Sequence, residues 1–339
     1  MIPRSTAGWQ RPAWQTELGK AITSPAELLE RLDLDPGLLT DAELAGRAFP
    51  LCVPRGFVRR MERGNPDDPL LRQVLPQAVE LTPQPTGFSS DPVGDLDAAT
   101  HPGVLHKYHG RALVIATGAC AIHCRYCFRR HFPYGKHTGA DHAWSATLSH
   151  LRANATIDEV ILSGGDPLLL ADERLNALLR AIEAIPHVRR LRIHTRLPVV
   201  LPERVTPSLV QMLEETRFRN PVIVLHTNHA NEIDAAVAHA CSTLKTAGTV
   251  LLNQAVLLRG VNDSTRALAA LSEALFETGV LPYYLHLLDR VAGAAHFEIP
   301  EDEALRLYER LRERLPGYLL PRLVREEPGA AAKRPASPC

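Results

Sequence analysis

Six short apolar runs recur from about residue 110 onward, at 112–116, 159–162, 191–194, 222–225, 250–252 and 283–287. Helical stretches at 173–185, 207–218, 232–247 and 265–278 lie between most of them, and a further helix at 301–315 follows the sixth. Strands joined through helical crossovers make a parallel sheet. The first crossover is long and carries three cysteines. Each run also ends in polar residues: Thr117-Gly118, Ser163-Gly164-Gly165-Asp166, Thr195-Arg196, His226-Thr227-Asn228-His229, Asn253-Gln254 and Asp289-Arg290. Barrels of β/α units gather their active sites at the C-terminal ends of the strands. Six such ends on one rim predict an α/β fold, a partial (β/α)6 barrel of TIM-like type, with one large site. The other architecture is a doubly wound sheet, which binds ligands at a switch point and engages fewer strand ends.

The flanks differ from this core. Residues 1–100 lack strand patterning and read as a helical N-terminal extension. Ser24-Pro25-Ala26-Glu27 has the form of a capping box with proline at the first helical position. Leu28, Leu29 and Leu32 follow as its buried stripe, and short helices are expected at 41–48, 56–63 and 69–74. Prolines at 66, 69, 76, 83, 85 and 92 then interrupt the chain. Residues 101–315 form the core, and 316–339 a short C-terminal tail with an apolar run at 318–324 and the segment Gly329-Ala330-Ala331-Ala332-Lys333.

Lys plus Arg and Asp plus Glu both number 38, so net charge gives no reason to expect nucleic acid or an anionic membrane as partner. No stretch of 18 apolar residues offers a membrane span, and the N-terminus up to Trp9 and Arg11 has no apolar signal segment. The expected compartment is the cytoplasm, where thiols stay reduced. A reduced, clustered set of cysteines points to metal or catalysis rather than disulfides.

Cys120, Cys124 and Cys127 form a C-x3-C-x2-C pattern on one loop. Three thiolates can hold three irons of a cubane and leave the fourth iron open to a small molecule. A Cys3His zinc site completed by His123, His131 or His137 is the competing reading. Cys52 and Cys241 read as buried small apolar residues, and Cys339 as terminal.

The cysteine loop and its surroundings resemble the radical S-adenosylmethionine (SAM) superfamily. Ser163-Gly164-Gly165-Asp166-Pro167, 36 residues beyond Cys127, looks like that superfamily's glycine-rich motif for the SAM amino group. A narrower likeness extends from about Asp68 to Lys333. Arg111, Cys127-Phe-Arg-Arg, Arg192-Ile-His-Thr-Arg196, His226-Thr-Asn-His-Ala-Asn-Glu232, Asn253-Gln…Asn262, Pro282-Tyr-Tyr-Leu-His286 and Gly293-Ala-Ala-His-Phe297 resemble the lysine 2,3-aminomutases. The branch that looks most similar is the short one that makes (R)-β-lysine for modification of elongation factor P.

The resemblance implies a 4Fe-4S cluster on Cys120, Cys124 and Cys127, SAM, and pyridoxal 5′-phosphate (PLP). It implies Lys333 as the Schiff-base lysine, Arg111 for the PLP phosphate, and Ser163, Gly164, Gly165, Asp166, His226, Asn228 and Gln254 around the cofactors. Arg129 would meet the carboxylate of L-lysine, and Asp289 and Glu326 its ε-ammonium. The implied partners are a flavodoxin- or ferredoxin-type electron donor and, functionally, the elongation factor P β-lysine ligase. The implied reaction moves the substrate nitrogen from C2 to C3 after hydrogen abstraction by a deoxyadenosyl radical. An aminomutase for another amino acid, such as glutamate, and a non-catalytic zinc-binding adaptor are the competing functions.

Overall fold

The computed structural model describes residues 12–99, 101–137 and 143–336. All six expected strands form and hydrogen-bond in chain order: β2 (Arg111–Thr117), β3 (Glu159–Gly164), β4 (Arg190–Thr195), β5 (Val222–His226), β6 (Val250–Val256) and β7 (Leu281–His286). Each pairs in parallel with the next. A doubly wound sheet reverses its strand order at a switch point. None occurs here, so the partial barrel is the architecture formed.

Three further strands extend it. β1 (Val104–Tyr108) makes an antiparallel hairpin with β2, turning through Gly110 at φ 75°. β8 (Arg322–Arg325) lies parallel to β7, and β9 (Arg334–Pro335) pairs antiparallel with β8. Seven strands therefore run parallel rather than the expected six. A four-residue apolar run cannot be told from a buried loop by local pattern. What makes β8 a strand is the crossover helix Glu301–Arg314, which returns the chain to the free edge of β7. The sheet runs from β1 to β9 without closing.

The crossover helices follow from their start signals. Thr206, Asp234 and Ser264 each accept a backbone N–H at the start of Pro207–Glu214, Ala235–Thr246 and Thr265–Glu277. Asp172–Glu183 buries Leu175, Leu178, Leu179 and Ile182 at helical spacing. The fifth-strand helix begins at Ala235, not 232, because Glu232 belongs to a 3-10 turn and its carboxylate is drawn inward by Arg196. A helix at Ala143–Ala153, after the cysteine loop, carried no clear sequence signal.

In the N-terminal layer the helices are shorter than expected, at Arg55–Val58 and Pro69–Arg72. Ser24 accepts from the Glu27 N–H, but the Glu27 carboxylate takes Arg31 and Arg55 instead of closing the capping box. This layer shares one hydrophobic core with the barrel: Trp14, Leu28, Phe57 and Leu70 join Val114, Leu162 and Ile193. Among the described residues no helix is long and apolar enough to cross a membrane.

Candidate active site at the C-terminal rim

The sheet curls around a cavity of about 460 Å³ at its C-terminal rim. Strands β1 to β7 all contribute to it, through Lys107, Arg111, Ile161, His194, His226, Gln254 and His286, and the segment after β8 adds Glu326 and Lys333. Cys120, Cys124 and Cys127 line the same cavity.

The cysteine loop is seated by the glycines at the end of β3. A Cβ on Gly165 would lie 2.2 Å from the Ala119 carbonyl oxygen, and one on Gly164 (φ 108°) 2.7 Å from that of Thr117. Gly165 N–H donates to Thr117 O at 2.7 Å and Asp166 N–H to Ala119 O at 2.8 Å. The sequence suggests that these glycines let backbone approach a ligand. In the structure the close neighbour is the stem of the cysteine loop itself. The Asp166 carboxylate is buried and accepts from Thr195 Oγ1 and from the backbone N–H groups of Leu168, Arg196 and Leu197. It ties the ends of β3 and β4 together. Burial pushes its pKa up, and those four donors pull the other way.

Behind the loop lies a buried polar network. Arg196 donates through Nη1 to Cys124 Sγ (2.7 Å) and the Tyr126 hydroxyl (2.9 Å), and through Nη2 to Gln73 Oε1 (2.7 Å) and Glu232 Oε2 (2.9 Å). The Tyr126 hydroxyl also meets His226 Nε2 at 2.8 Å and accepts from Asn228 Nδ2 at 2.7 Å. Asn228 is fully buried, and its Oδ1 accepts from the Val256 N–H. Asn228 thus braces β5 against β6 rather than lining the cavity. Burial, and then the Arg196 charge, drive His226 down to about 3, so the imidazole is neutral.

A chain of charges also lines the cavity. Asp95 Oδ2 accepts from Arg129 Nε at 2.6 Å, and Asp95 Oδ1 lies 2.5 Å from Lys107 Nζ. Lys107 Nζ reaches Glu326 Oε1 at 3.2 Å, and Glu326 Oε2 lies 2.5 Å from Lys333 Nζ. Burial works against the Glu326 carboxylate, but Lys333 and Lys107 hold it down to about 2. Asp289 behaves oppositely: burial, reinforced by the nearby Glu326 charge, pushes it up to about 7. Two acids side by side, one ionised and one near half-protonated, form a locus for a cation.

Several cavity-facing nitrogens have no protein partner. Arg111 Nε, Arg196 Nε and His194 Nε2 are buried and unbonded. Arg111 also stacks over the Tyr108 ring, its Cζ 4.9 Å from the centroid, which fixes the guanidinium plane. Buried polar atoms are normally satisfied, so each of these three has hydrogen-bonding capacity that the protein chain leaves unused.

Cys120, Cys124, Cys127, Arg111, Ser163, Gly164, Gly165, Asp166, His226, Gln254, Arg129, Asp289, Glu326 and Lys333 meet at this one cavity. Sequence reasoning assigned no role to Asp95, Lys107, Tyr108, His194 or His286. The first three lie on or before β1, which carried no strand signal. His194 and His286 stand inside motifs that carry the family resemblance, but those motifs by themselves assign them no role. The zinc candidates are otherwise engaged: His123 Nδ1 meets Pro50 O at 2.8 Å and His131 Nε2 meets Ala292 O at 3.0 Å. The His137 side chain and Cys339 lie outside the described residues. Among the described residues no group of three His, Cys, Asp or Glu side chains converges on a single ion. Cys241 is buried as expected, while Cys52 is only partly so, its Sγ donating to Ala121 O at 3.4 Å.

Residues 109–191 match a family described as a 4Fe-4S single cluster domain. The L-lysine 2,3-aminomutase of Escherichia coli K12 is 49% identical over 96% of this chain and 94% of its own length. That of Haemophilus influenzae is 46% identical over 98% of both. That of Buchnera aphidicola subsp. Baizongia pistaciae is 42% identical over 94% of both. Among solved structures, Streptococcus suis SuiB bound to S-adenosylmethionine matches with a TM-score of 0.48 at 16% identity, over 65% of this chain and 51% of that one.

Proposed function

The chain belongs to the L-lysine 2,3-aminomutase family, and from that premise we propose that it is a radical SAM, PLP-dependent isomerase that converts L-lysine to (R)-β-lysine. The observation that carries the reading is the convergence on one cavity of three thiols, a lysine flanked by two acids, and two arginines.

The donor set fits the groups this function requires. Cys120, Cys124 and Cys127 line the same cavity, and three thiolates on one loop suit three irons of a cubane. Arg111, with its unbonded Nε and its plane fixed by Tyr108, suits the PLP phosphate, and Lys333 its aldehyde. Ser163, Gly164, Gly165, His226 and Gln254 surround the space left for SAM, with Asp166 and Asn228 holding the strand ends behind it. When bound, the cluster and SAM supply an electron and a hydrogen-abstracting nucleoside radical, and PLP supplies an aldehyde for the amine and a ring that spreads spin.

The chain's own residues select and orient the substrate. Arg129 takes the carboxylate and is held for it by Asp95. Asp289 and Glu326 take the ε-ammonium, whose charge would draw the Asp289 proton off. Glutamate in the same pose would bring a carboxylate against these two acids, so the lysine reading is favoured. Glu326 also holds the Lys333 ammonium whenever that amine is free.

In this reading residues 1–100 form a helical cover, 101–315 the cluster-bearing core, and 316–339 the lysine-bearing tail. The product supplies modification of elongation factor P through a β-lysine ligase. The electron comes from a small flavodoxin- or ferredoxin-type donor, and the setting is cytoplasmic. The test is anaerobic incubation of the reconstituted chain with L-lysine, SAM, PLP and a reductant. β-Lysine is the expected product; a colourless protein with one zinc and no product would favour an adaptor.

A further inference from the structure

Arg196 is a buried guanidinium placed directly on a cysteine sulfur, and we propose that it sets the reduction potential of the cluster which Cys124 helps to hold. The inference rests on the function proposed above and concerns a residue that touches the Cys124 sulfur but is not one of the cluster's ligands.

The geometry is over-determined. Arg196 Nη1 lies 2.7 Å from Cys124 Sγ, and the same nitrogen donates to Tyr126, whose hydroxyl is itself within hydrogen-bonding reach of Cys124. Nη2 is locked by Gln73 and Glu232. The Arg196 backbone N–H is held by Asp166 at 2.7 Å, and the Phe57 ring lies beneath the guanidinium with its centroid 5.4 Å from Cζ. The residue is 6% exposed. Glu232 is held in turn by Gln73 Nε2 and by the backbone N–H groups of Asn228 and His229. Neither partner can turn away without breaking several buried hydrogen bonds.

Such a charge is costly to bury unless paired. With Glu232 on one side and a Cys124 thiolate on the other, the guanidinium has an anion at each end of its fork. The hydrogen bonds to the sulfurs also differ: Cys127 is met by the backbone N–H of Arg129, with the Arg129 and Arg130 charges nearby, whereas Cys124 takes a guanidinium N–H directly. Reduction adds a negative charge to the cluster and part of it falls on the ligating sulfurs. A charged N–H donor on one of them stabilises the reduced state and raises the potential.

The experiment is a redox titration, followed by electron paramagnetic resonance, of the full chain reconstituted without oxygen. The double variant Arg196→Gln/Glu232→Gln removes the donor while leaving the net charge unchanged. Arg196→Lys keeps the charge but loses the fork. Each variant that retains four irons should show a more negative potential, with the double variant losing about tenfold in the ratio of reduced to oxidised cluster at a fixed poise, ~59 mV for a one-electron couple. An unchanged potential in an iron-replete variant overturns the proposal. Loss of the cluster from both variants also overturns it, since Arg196 would then serve retention rather than potential. A wild-type chain that forms no cubane defeats the proposed function instead, so the two failures are distinct.

Discussion

Glu326 and Lys333 face each other across the hairpin of β8 and β9, with Oε2 and Nζ 2.5 Å apart. The antiparallel register that pairs Arg325 with Arg334 puts the next residue on each strand opposite the other. A lysine that the sequence alone would leave in a solvated tail is thereby held at the cavity, beside the acid that also binds Lys107.

Replacing that acid should weaken both the fold and substrate binding. The folded pKa of Glu326 is depressed from 4.5 to about 2, so its stabilising contribution is present above 4.5 and is lost as pH falls toward 2. Glu326→Gln is expected to unfold at lower urea, by on the order of 2–3 kcal/mol at pH 7. The gap from wild type should close as the pH drops through that window. A gap that is constant from pH 7 to pH 3 would argue against the ion pair as its source.

Asp289 carries the opposite sign. Its folded pKa is raised from 3.8 to about 7, so between those values the native state keeps a proton that the unfolded chain releases, and stability declines as pH rises from about 4 to 7 and levels off above it. Asp289→Asn should therefore be more stable than wild type at pH 8, yet lose about 30-fold or more in kcat/KM for lysine. In the wild type, kcat/KM for lysine should show an acid limb near pH 7 that the variant lacks.

Gly165→Ala should release the cysteine loop. The new Cβ would meet the Ala119 carbonyl at 2.2 Å, and this neighbour is backbone that cannot rotate aside. Iron per chain after anaerobic reconstitution is expected to fall several-fold with little change in far-UV dichroism. Full iron content would show that the loop tolerates displacement.

Single alanine replacements of Cys120, Cys124 or Cys127 should abolish the brown colour and β-lysine formation while leaving PLP binding in place. Lys333→Ala should do the converse, keeping about four irons per chain and losing the absorbance of lysine-bound PLP. Undiminished β-lysine from Lys333→Ala would remove the lysine from the mechanism.

Arg111→Gln should lower PLP affinity by about 10–100-fold, the range for a buried charge-assisted contact. Its otherwise unbonded Nε marks it as a donor awaiting an anion. Titration of PLP fluorescence quenching on wild type and variant measures this directly.

Much of the fold was legible in local pattern. The strands from Arg111 to His286 show as apolar runs, and Thr206, Asp234 and Ser264 mark helix starts because a short side-chain oxygen satisfies a free N–H. The C-x3-C-x2-C spacing, the glycines after β3 and the resemblance of the rim motifs likewise lie in the order of residues. What the sequence could not decide is which charges meet. Asp95 with Arg129, Lys107 with Glu326, and Arg196 with Cys124 are separated by 34, 219 and 72 positions. Pairs that distant leave no periodic trace, since their contact depends on how the sheet curls and where β1 and β8 dock. Burial at that rim then sets each group's charge, raising Asp289 and lowering Glu326 although the two are similar carboxylates. Desolvation and neighbouring charge belong to the folded site, not to the residue type.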